Sequence, residues 1–139
     1  MAVTDDLLRA YEATNYVVED DLGQIVLRIH DPSPQLKEVL LRYGTAGAAF
    51  ITAYNPLSQE TSDEENNHAQ AALLCELEAA STAVLKGYGQ GTIGDWPPEP
   101  SFLAVGIDRK DAEMLGRRYR QNAIIWIGAD MVPSLILLK

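Results

Sequence analysis

Residues 48–56 read Ala-Ala-Phe-Ile-Thr-Ala-Tyr-Asn-Pro, and this stretch decides the fold of the chain. The run is almost continuously apolar and too short for a typical helix, which is the pattern of a strand buried on both faces. Pro56 cannot donate a ladder hydrogen bond and biases Asn55 away from helical angles, so we expect the strand to end there. The sequence therefore predicts a central strand that carries Asn55 at its C-terminal end, where open α/β sheets place ligands.

The size and composition of the chain predict one domain over residues 1–139. Of the 139 residues, 47% are hydrophobic and 22% are charged, as in ordinary globular proteins. The formal net charge of −9 argues against general nucleic-acid binding and against anionic membrane surfaces, because both require a cationic face. We expect an acidic protein that binds neither.

Cysteine usage and the absence of targeting signals favour the cytoplasm. Cys75 is the single cysteine, which excludes an intramolecular disulfide and a cysteine metal cluster. Residues 1–9 are acidic and polar and lack the apolar segment of a signal peptide. No apolar run approaches the ~20 residues that span a bilayer.

The remaining periodicities predict the element order α-ββ-α-β-α-ββ-α-ββ. Helix starts are predicted near Thr4, Ser33, Ser62 and Asp108, since each is a capping residue ahead of a helical pattern. Besides the central strand, strands are predicted at residues 16–19, 25–29, 101–106, 123–127 and 134–138 and in the glycine-rich stretch 86–94. We expect an α+β domain with a mixed sheet of about six or seven strands, terminal hairpins and three to four helices.

The stretch Lys86–Gly94 has an unusual glycine spacing. Gly87, Gly89 and Gly91 share one face if the segment is extended. Glycine inside a strand marks close approach of another backbone or of a ligand. The spacing matches neither a dinucleotide fingerprint nor a P-loop, and packing is the favoured explanation over ligand approach.

Several polar residues lie at predicted strand ends and in stiff loops. They are Asn55, Asn66, Asn67, Trp96, Glu99, Ser101, Gln121 and Asn122. Amides, a hydroxyl, a carboxylate and an indole together form a hydrogen-bonding pocket with a stacking surface, which suits a small polar ligand. The alternative is structural: Asn55 and Asn122 would cap turns and Trp96 would cover an edge of the core.

Glu99 is the best candidate for acid–base chemistry. It lies between Pro98 and Pro100 near Trp96, where partial burial would raise the carboxyl pKa. The two histidines, His30 and His68, have no metal-ligand spacing, and no Gly-x-Ser-x-Gly motif is present. We therefore expect no metal and no cofactor.

Arg117, Arg118 and Arg120 follow one another near a predicted helix C-terminus. The helix dipole favours cations there, which explains them without a function. The competing interpretation is an anion contact beside Gln121 and Asn122.

With these motifs collected, the chain resembles a bacterial family of small proteins known as domain of unknown function 3293. The resemblance covers most of the chain and depends on the motifs at residues 50–56, 99–101 and 121–123, together with Asn67, Leu73, Leu77, Trp96, Gly106, Ala112, Leu115 and Trp126. It implies a compact α/β domain and no known activity. The family pattern has an arginine three positions after the helix asparagine, where this chain has Gln70. If that arginine contacts an anion, this chain lacks the contact or supplies it from Arg117, Arg118 or Arg120.

Three functions follow from these features. The leading hypothesis is a domain that binds a small polar or nucleotide-like ligand through Trp96 and the amides. The second is a small hydrolase or transferase with Glu99 as general base. The third is an interaction or homodimerising module that uses an edge strand near residues 133–138.

Overall fold

The computed structural model describes residues 4–21, 23–92 and 97–138, and these form one sheet with helices on both faces. The helices of this part of the chain are α1 (Asp5–Glu12), α2 (Pro34–Arg42), α3 (Asp63–Ala80) and α4 (Arg109–Arg118), with a 3-10 turn at Pro56–Ser58. The strands are β1 (Thr14–Asp20), β2 (Gly23–Leu27), β3 (Ala48–Ile51), β4 (Ala83–Gly91), β5 (Glu99–Val105), β6 (Ala123–Ile127) and β7 (Ser134–Leu137). The predicted α+β domain is confirmed.

The strand order across the sheet is β2-β1-β4-β5-β3-β6-β7. The hairpins β1–β2 and β6–β7 lie at the two ends, as predicted. Each of the six pairings between described strands is antiparallel, which refines the expectation of a mixed sheet. Strand β7, within the segment predicted to form an edge, lies at one edge of the sheet.

The two sheet faces carry separate apolar clusters. On the face that we call the α2 face, Leu36 and Leu40 pack with Phe50, and Tyr11 of α1 packs against this cluster. On the opposite α3–α4 face, other residues of the same strands pack against Leu73, Leu77 and Leu115, among others. All four residues of β3 are buried, because β3 contributes to both clusters. A central strand buried on both faces is confirmed.

The central strand is shorter than expected. It leaves the ladder after Ile51 instead of continuing to Asn55. The amide of Ala53 donates to the Gln70 side chain (2.9 Å) and that of Tyr54 to Thr52 Oγ1 (3.0 Å), so side chains replace the ladder partners. Asn55, which was expected to end the strand and which Pro56 was expected to bias away from helical angles, adopts a left-handed conformation with φ of 46°.

The glycine-rich stretch is extended as β4, and two of its glycines have different surroundings. A Cβ at Gly87 would collide with the Val17 carbonyl oxygen, so this glycine permits close approach of β1. A Cβ at Gly89 would meet Thr14 Cγ2 at 3.6 Å, which is ordinary contact. Packing explains Gly87, whereas Gly89 leaves open space on the α2 face. Gly94 lies outside the described residues.

This difference predicts opposite effects of two alanine substitutions on one strand. Gly87→Ala should lower the free energy of unfolding by about 1–3 kcal/mol, because a backbone oxygen must move. Gly89→Ala should leave it unchanged or raise it by about 0.4–1 kcal/mol through reduced freedom of the unfolded chain. Urea unfolding of both variants measures the difference, and equal stabilities would contradict the assignment of Gly87 to packing.

Candidate functional site

A cavity of about 520 Å³ lies on the α2 face, between the sheet, α1 and the loop that follows β3. Its lining includes Leu7 and Tyr11 from α1 and Phe50, Tyr16 and Glu99 from three strands. The cavity has the size of common small-molecule sites. Several of the predicted polar residues line this cavity.

The floor of the cavity follows from the strand register. Tyr16 pairs with Gly89, and Gly89 pairs with Glu99, so the three residues form one row across β1, β4 and β5. Directly opposed residues of antiparallel strands point to the same face. Because the middle residue has no side chain, the Tyr16 ring and the Glu99 carboxylate flank a gap.

Glu99 is a carboxylic acid of the cavity lining whose acidity is altered by its surroundings. Burial raises the pKa of its carboxyl to about 7, although a hydrogen bond from Asn55 opposes that rise. The sequence-based expectation of a raised pKa is confirmed. The sequence analysis did not predict the hydrogen bond from Asn55. Glu99 begins β5, and Asn55 Nδ2 donates to its Oε2 over 3.3 Å.

Asn55 is fixed by a reciprocal amide pair. Its backbone N–H donates to Asn66 Oδ1 (2.9 Å), and Asn66 Nδ2 donates to Asn55 Oδ1 (3.0 Å). The Thr61 amide donates to the same Asn55 oxygen (3.1 Å), which ties the loop to the start of α3. With the Asn55 oxygen satisfied in this way, its NH₂ group is left to face Glu99.

Gln70 is a structural residue that the sequence analysis treated only as a departure from a family pattern. Its Oε1 accepts from the Ala53 amide, and its Nε2 donates to the Pro100 carbonyl (3.0 Å). The buried amide thus joins the end of β3 to the start of β5. A signal existed in the sequence, because Asn66 and Gln70 continue the buried helical stripe of Leu73 and Leu77 at spacings of four and three.

The tyrosines of the cavity were also missed. Tyr16 is buried, its hydroxyl donates to the Tyr11 carbonyl (2.8 Å), and its ring meets Phe50 edge-on at 5.3 Å. Burial raises the pKa of the Tyr16 phenol, so it stays protonated. Only the strand register brings Tyr16 to Glu99, and a sequence pattern does not contain that register.

Ser101 and Gln121 line the cavity as predicted members of the polar set. Ser101 Oγ donates to the Glu99 carbonyl (3.0 Å). Gln121 Nε2 donates to the carbonyls of Tyr54 (3.2 Å) and Tyr119 (3.3 Å). Four of the seven residues predicted to contact a ligand therefore lie together: Asn55, Glu99, Ser101 and Gln121.

The remaining three predicted ligand residues do not join them. Asn67 lines a separate groove of about 290 Å³ between α3 and the sheet, where its Oδ1 accepts from the Tyr54 hydroxyl (2.6 Å). Asn122 is buried, and its carbonyl accepts from the Leu138 amide (2.9 Å). Trp96 lies outside the described residues.

The three arginines do not line the cavity either. Arg117 lies 3.7 Å from Glu113, and Arg118 pairs with Glu76. Arg120 is exposed, and its backbone carbonyl accepts from the Leu57 amide (2.6 Å). The geometry therefore gives the cavity no anion contact from these residues.

The described ranges contain neither a metal-ligand cluster nor a membrane-spanning helix. No group of three His, Cys, Asp or Glu residues there could hold a metal ion. Within the same ranges, no helix combines the length and apolar character that a bilayer crossing needs.

A model of the protein family described as "Protein of unknown function (DUF3293)" matches residues 51–124, more than half of the chain. The matched span runs from the end of β3 to β6 and includes Asn55, Asn66, Gln70, Glu99 and Gln121. Comparisons with curated proteins and with solved structures gave no match.

The raised pKa predicts how Glu99 affects stability. Between its unfolded value of 4.5 and about 7, the folded chain keeps a proton that the unfolded chain has lost, so stability falls as the pH rises. From pH 5 to pH 8 this loss amounts to about 2–3 kcal/mol. Glu99→Gln, which mimics the neutral acid, should gain that amount relative to wild type over this range.

Urea unfolding at several pH values measures this difference. Glu38→Gln, on the exposed side of α2, is the control and should follow wild type. Parallel profiles for wild type and Glu99→Gln would contradict the burial of the Glu99 carboxyl.

Proposed function

The chain belongs to the DUF3293 family of proteins of unknown function, and we propose from its own geometry that it binds a small polar organic molecule in the cavity beside Glu99. The observation that carries the proposal is the Glu99 carboxylate, held by Asn55 at the edge of an open floor above Gly89. The half-buried Glu99 carboxyl has no ionic partner among the described residues, which is unfavourable for folding, and such groups are concentrated at functional sites.

The composition of the lining supports a small organic ligand. Aromatic and aliphatic side chains such as Phe50, Ile125 and Leu135 supply most of the surface, and a smaller number of polar groups supply the rest. Ligand sites commonly combine an apolar body with a small number of placed polar groups. The nucleotide-like ligand expected from the sequence would have to bind through its uncharged part, because no described lining residue is Lys, Arg or His.

A fragment screen by protein-detected NMR tests the proposal. Ligands should shift the backbone signals of Tyr16, Gly89 and Glu99. Gly89→Leu should abolish binding, because the leucine would fill the gap between Tyr16 and Glu99.

Lys86→Leu is the matched control, since it introduces the same side chain on the opposite face of the same strand, outside the cavity. It should leave binding unchanged. Hits that persist in Gly89→Leu, or that shift signals elsewhere, would refute binding in this cavity.

The pKa of Glu99 favours a second candidate function, a hydrolase or transferase. A carboxyl with a pKa of about 7 can accept and release a proton near neutral pH, as a general acid–base group must. Once a ligand is found that the chain converts, Glu99→Gln should lower turnover by about 100-fold or more, a larger loss than its effect on binding.

The wild-type rate should also change with pH around 7, where Glu99 titrates. Glu60→Gln, at the other carboxylate of the lining, is the control and should keep its turnover. Turnover that survives Glu99→Gln unchanged would exclude Glu99 as the general base.

A further inference from the structure

We propose that the ligand of the cavity is an organic cation, a protonated amine on an apolar body, whose N–H groups bind the Glu99 carboxylate. This inference rests on the proposed function, because it names the chemical class of ligand for the same cavity. It depends on three properties of the lining: its charge, its free hydrogen-bonding groups and its aromatic rings.

The charge of the lining has one sign. Glu99 and Glu60 contribute carboxylates, and none of the described lining residues carries a positive charge. The hydrogen bond from Asn55 to Glu99 comes from a neutral amide, so it does not balance the negative charge. The net charge of −9 adds a long-range potential of the same sign, which attracts cations and repels anions.

The hydrogen-bonding groups of the lining are matched to a donor. The hydroxyls of Thr14, Thr52, Tyr16 and Ser101 each donate to a backbone carbonyl, at 2.6 to 3.0 Å. Gln121 Nε2 likewise donates to two carbonyls. The donors around the cavity are therefore largely used within the protein.

Acceptors remain. Glu99 Oε2 accepts a hydrogen bond from Asn55, whereas Oε1 accepts none from a described residue. Gln121 Oε1 also accepts no hydrogen bond from a described residue. A ligand with N–H groups can donate to these oxygens. The oxygens of a carboxylate or phosphate are acceptors themselves and would face the acceptor atoms of the protein.

Aromatic side chains complete the site. Tyr11, Tyr16 and Phe50 line the cavity, and the edge-on contact of the last two fixes their relative orientation. The faces of such rings attract cations, and their area suits an apolar ligand body. An aromatic or aliphatic amine satisfies the rings and the carboxylate together.

Binding of a cation would be coupled to the ionisation of Glu99. The other titratable groups of the lining are Tyr11 from α1, Tyr16 from β1 and Glu60 from the loop after β3, while β4 contributes two glycines. Because the pKa of Glu99 is about 7 in the empty cavity, the carboxylate that binds the cation is scarce at pH 5. Affinity for a cation should therefore rise with pH and level off above neutrality.

Three probes of the same shape test the inference: benzylamine, benzyl alcohol and benzoate. Dissociation constants are measured by NMR titration of the wild-type chain at pH 8. We expect benzylamine to bind at least tenfold more tightly than benzyl alcohol and benzoate to bind most weakly. From pH 8 to pH 5 the affinity for benzylamine should fall by about 50- to 100-fold, following the ionised fraction of Glu99.

Isosteric variants assign the effect to one carboxylate. Glu99→Gln should remove both the preference for benzylamine and its pH dependence while benzyl alcohol still binds. Glu38→Gln, outside the cavity, is the control and should retain both, whereas Glu60→Gln should weaken the preference far less than Glu99→Gln does. A preference that follows Glu60 instead would overturn the assignment to Glu99.

The outcomes separate this inference from the proposed function. Benzyl alcohol or benzoate that binds as tightly as benzylamine overturns the cationic ligand and leaves a ligand-binding cavity in place. If no probe binds the wild type, and no fragment of the wider screen shifts the cavity signals, both fail. Cavity signals that respond only to neutral fragments refute the cation alone.

Discussion

Two buried amides on one face of α3 hold the arrangement on which the site depends. Asn66 pairs with Asn55 just after β3, and Gln70 joins Ala53 to Pro100. Backbone groups that leave a ladder inside a protein need other partners, because an unpaired buried polar group costs about 1–3 kcal/mol. By supplying those partners, α3 allows β3 to end early and the chain to turn across the end of the neighbouring strand β5. The turn is what brings Asn55 to Glu99.

The site combines a rigid support with an unfavourable group. Strands β1, β4 and β5 fix Tyr16, Gly89 and Glu99 in one row, so their relative positions depend on backbone pairing and not on loop conformation. The same burial that orients Glu99 raises its pKa to about 7, which means that its ionised form destabilises the folded chain. Proteins keep such costs mainly where activity requires them. The cost falls on a residue that lines the cavity, which supports the proposed ligand site.

Sequence patterns predicted the elements well because each depends on local chemistry. Capping residues located the helix starts at Thr4, Ser33 and Ser62, and unbroken apolar runs located β3 and β6. The end of β3 was predicted wrongly. Local propensity favoured an extended strand as far as Asn55. The residue that binds the Ala53 amide in place of a ladder partner, Gln70, lies in a helix elsewhere in the sequence.

The candidate site was predicted in part, for a related reason. Strand ends and proline-rich connections marked Asn55 and Glu99, and both line the cavity. Asn67 was grouped with them as a polar residue at the start of a predicted helix. Successive residues on a helix face different directions, and Asn67 faces the other groove.

Tyr16 carried no local signal, and the glycine spacing did not place Gly89 beside it, since their role arises from register between strands that lie about 70 residues apart in the chain. A glycine in a strand has two explanations, and only the neighbouring strand separates them. Gly87 faces a carbonyl and Gly89 faces space, although both occupy the same kind of position in the sequence. The gap above Gly89 is thus a property of three paired strands, and a ligand bound there would contact residues that no single segment of the chain reveals.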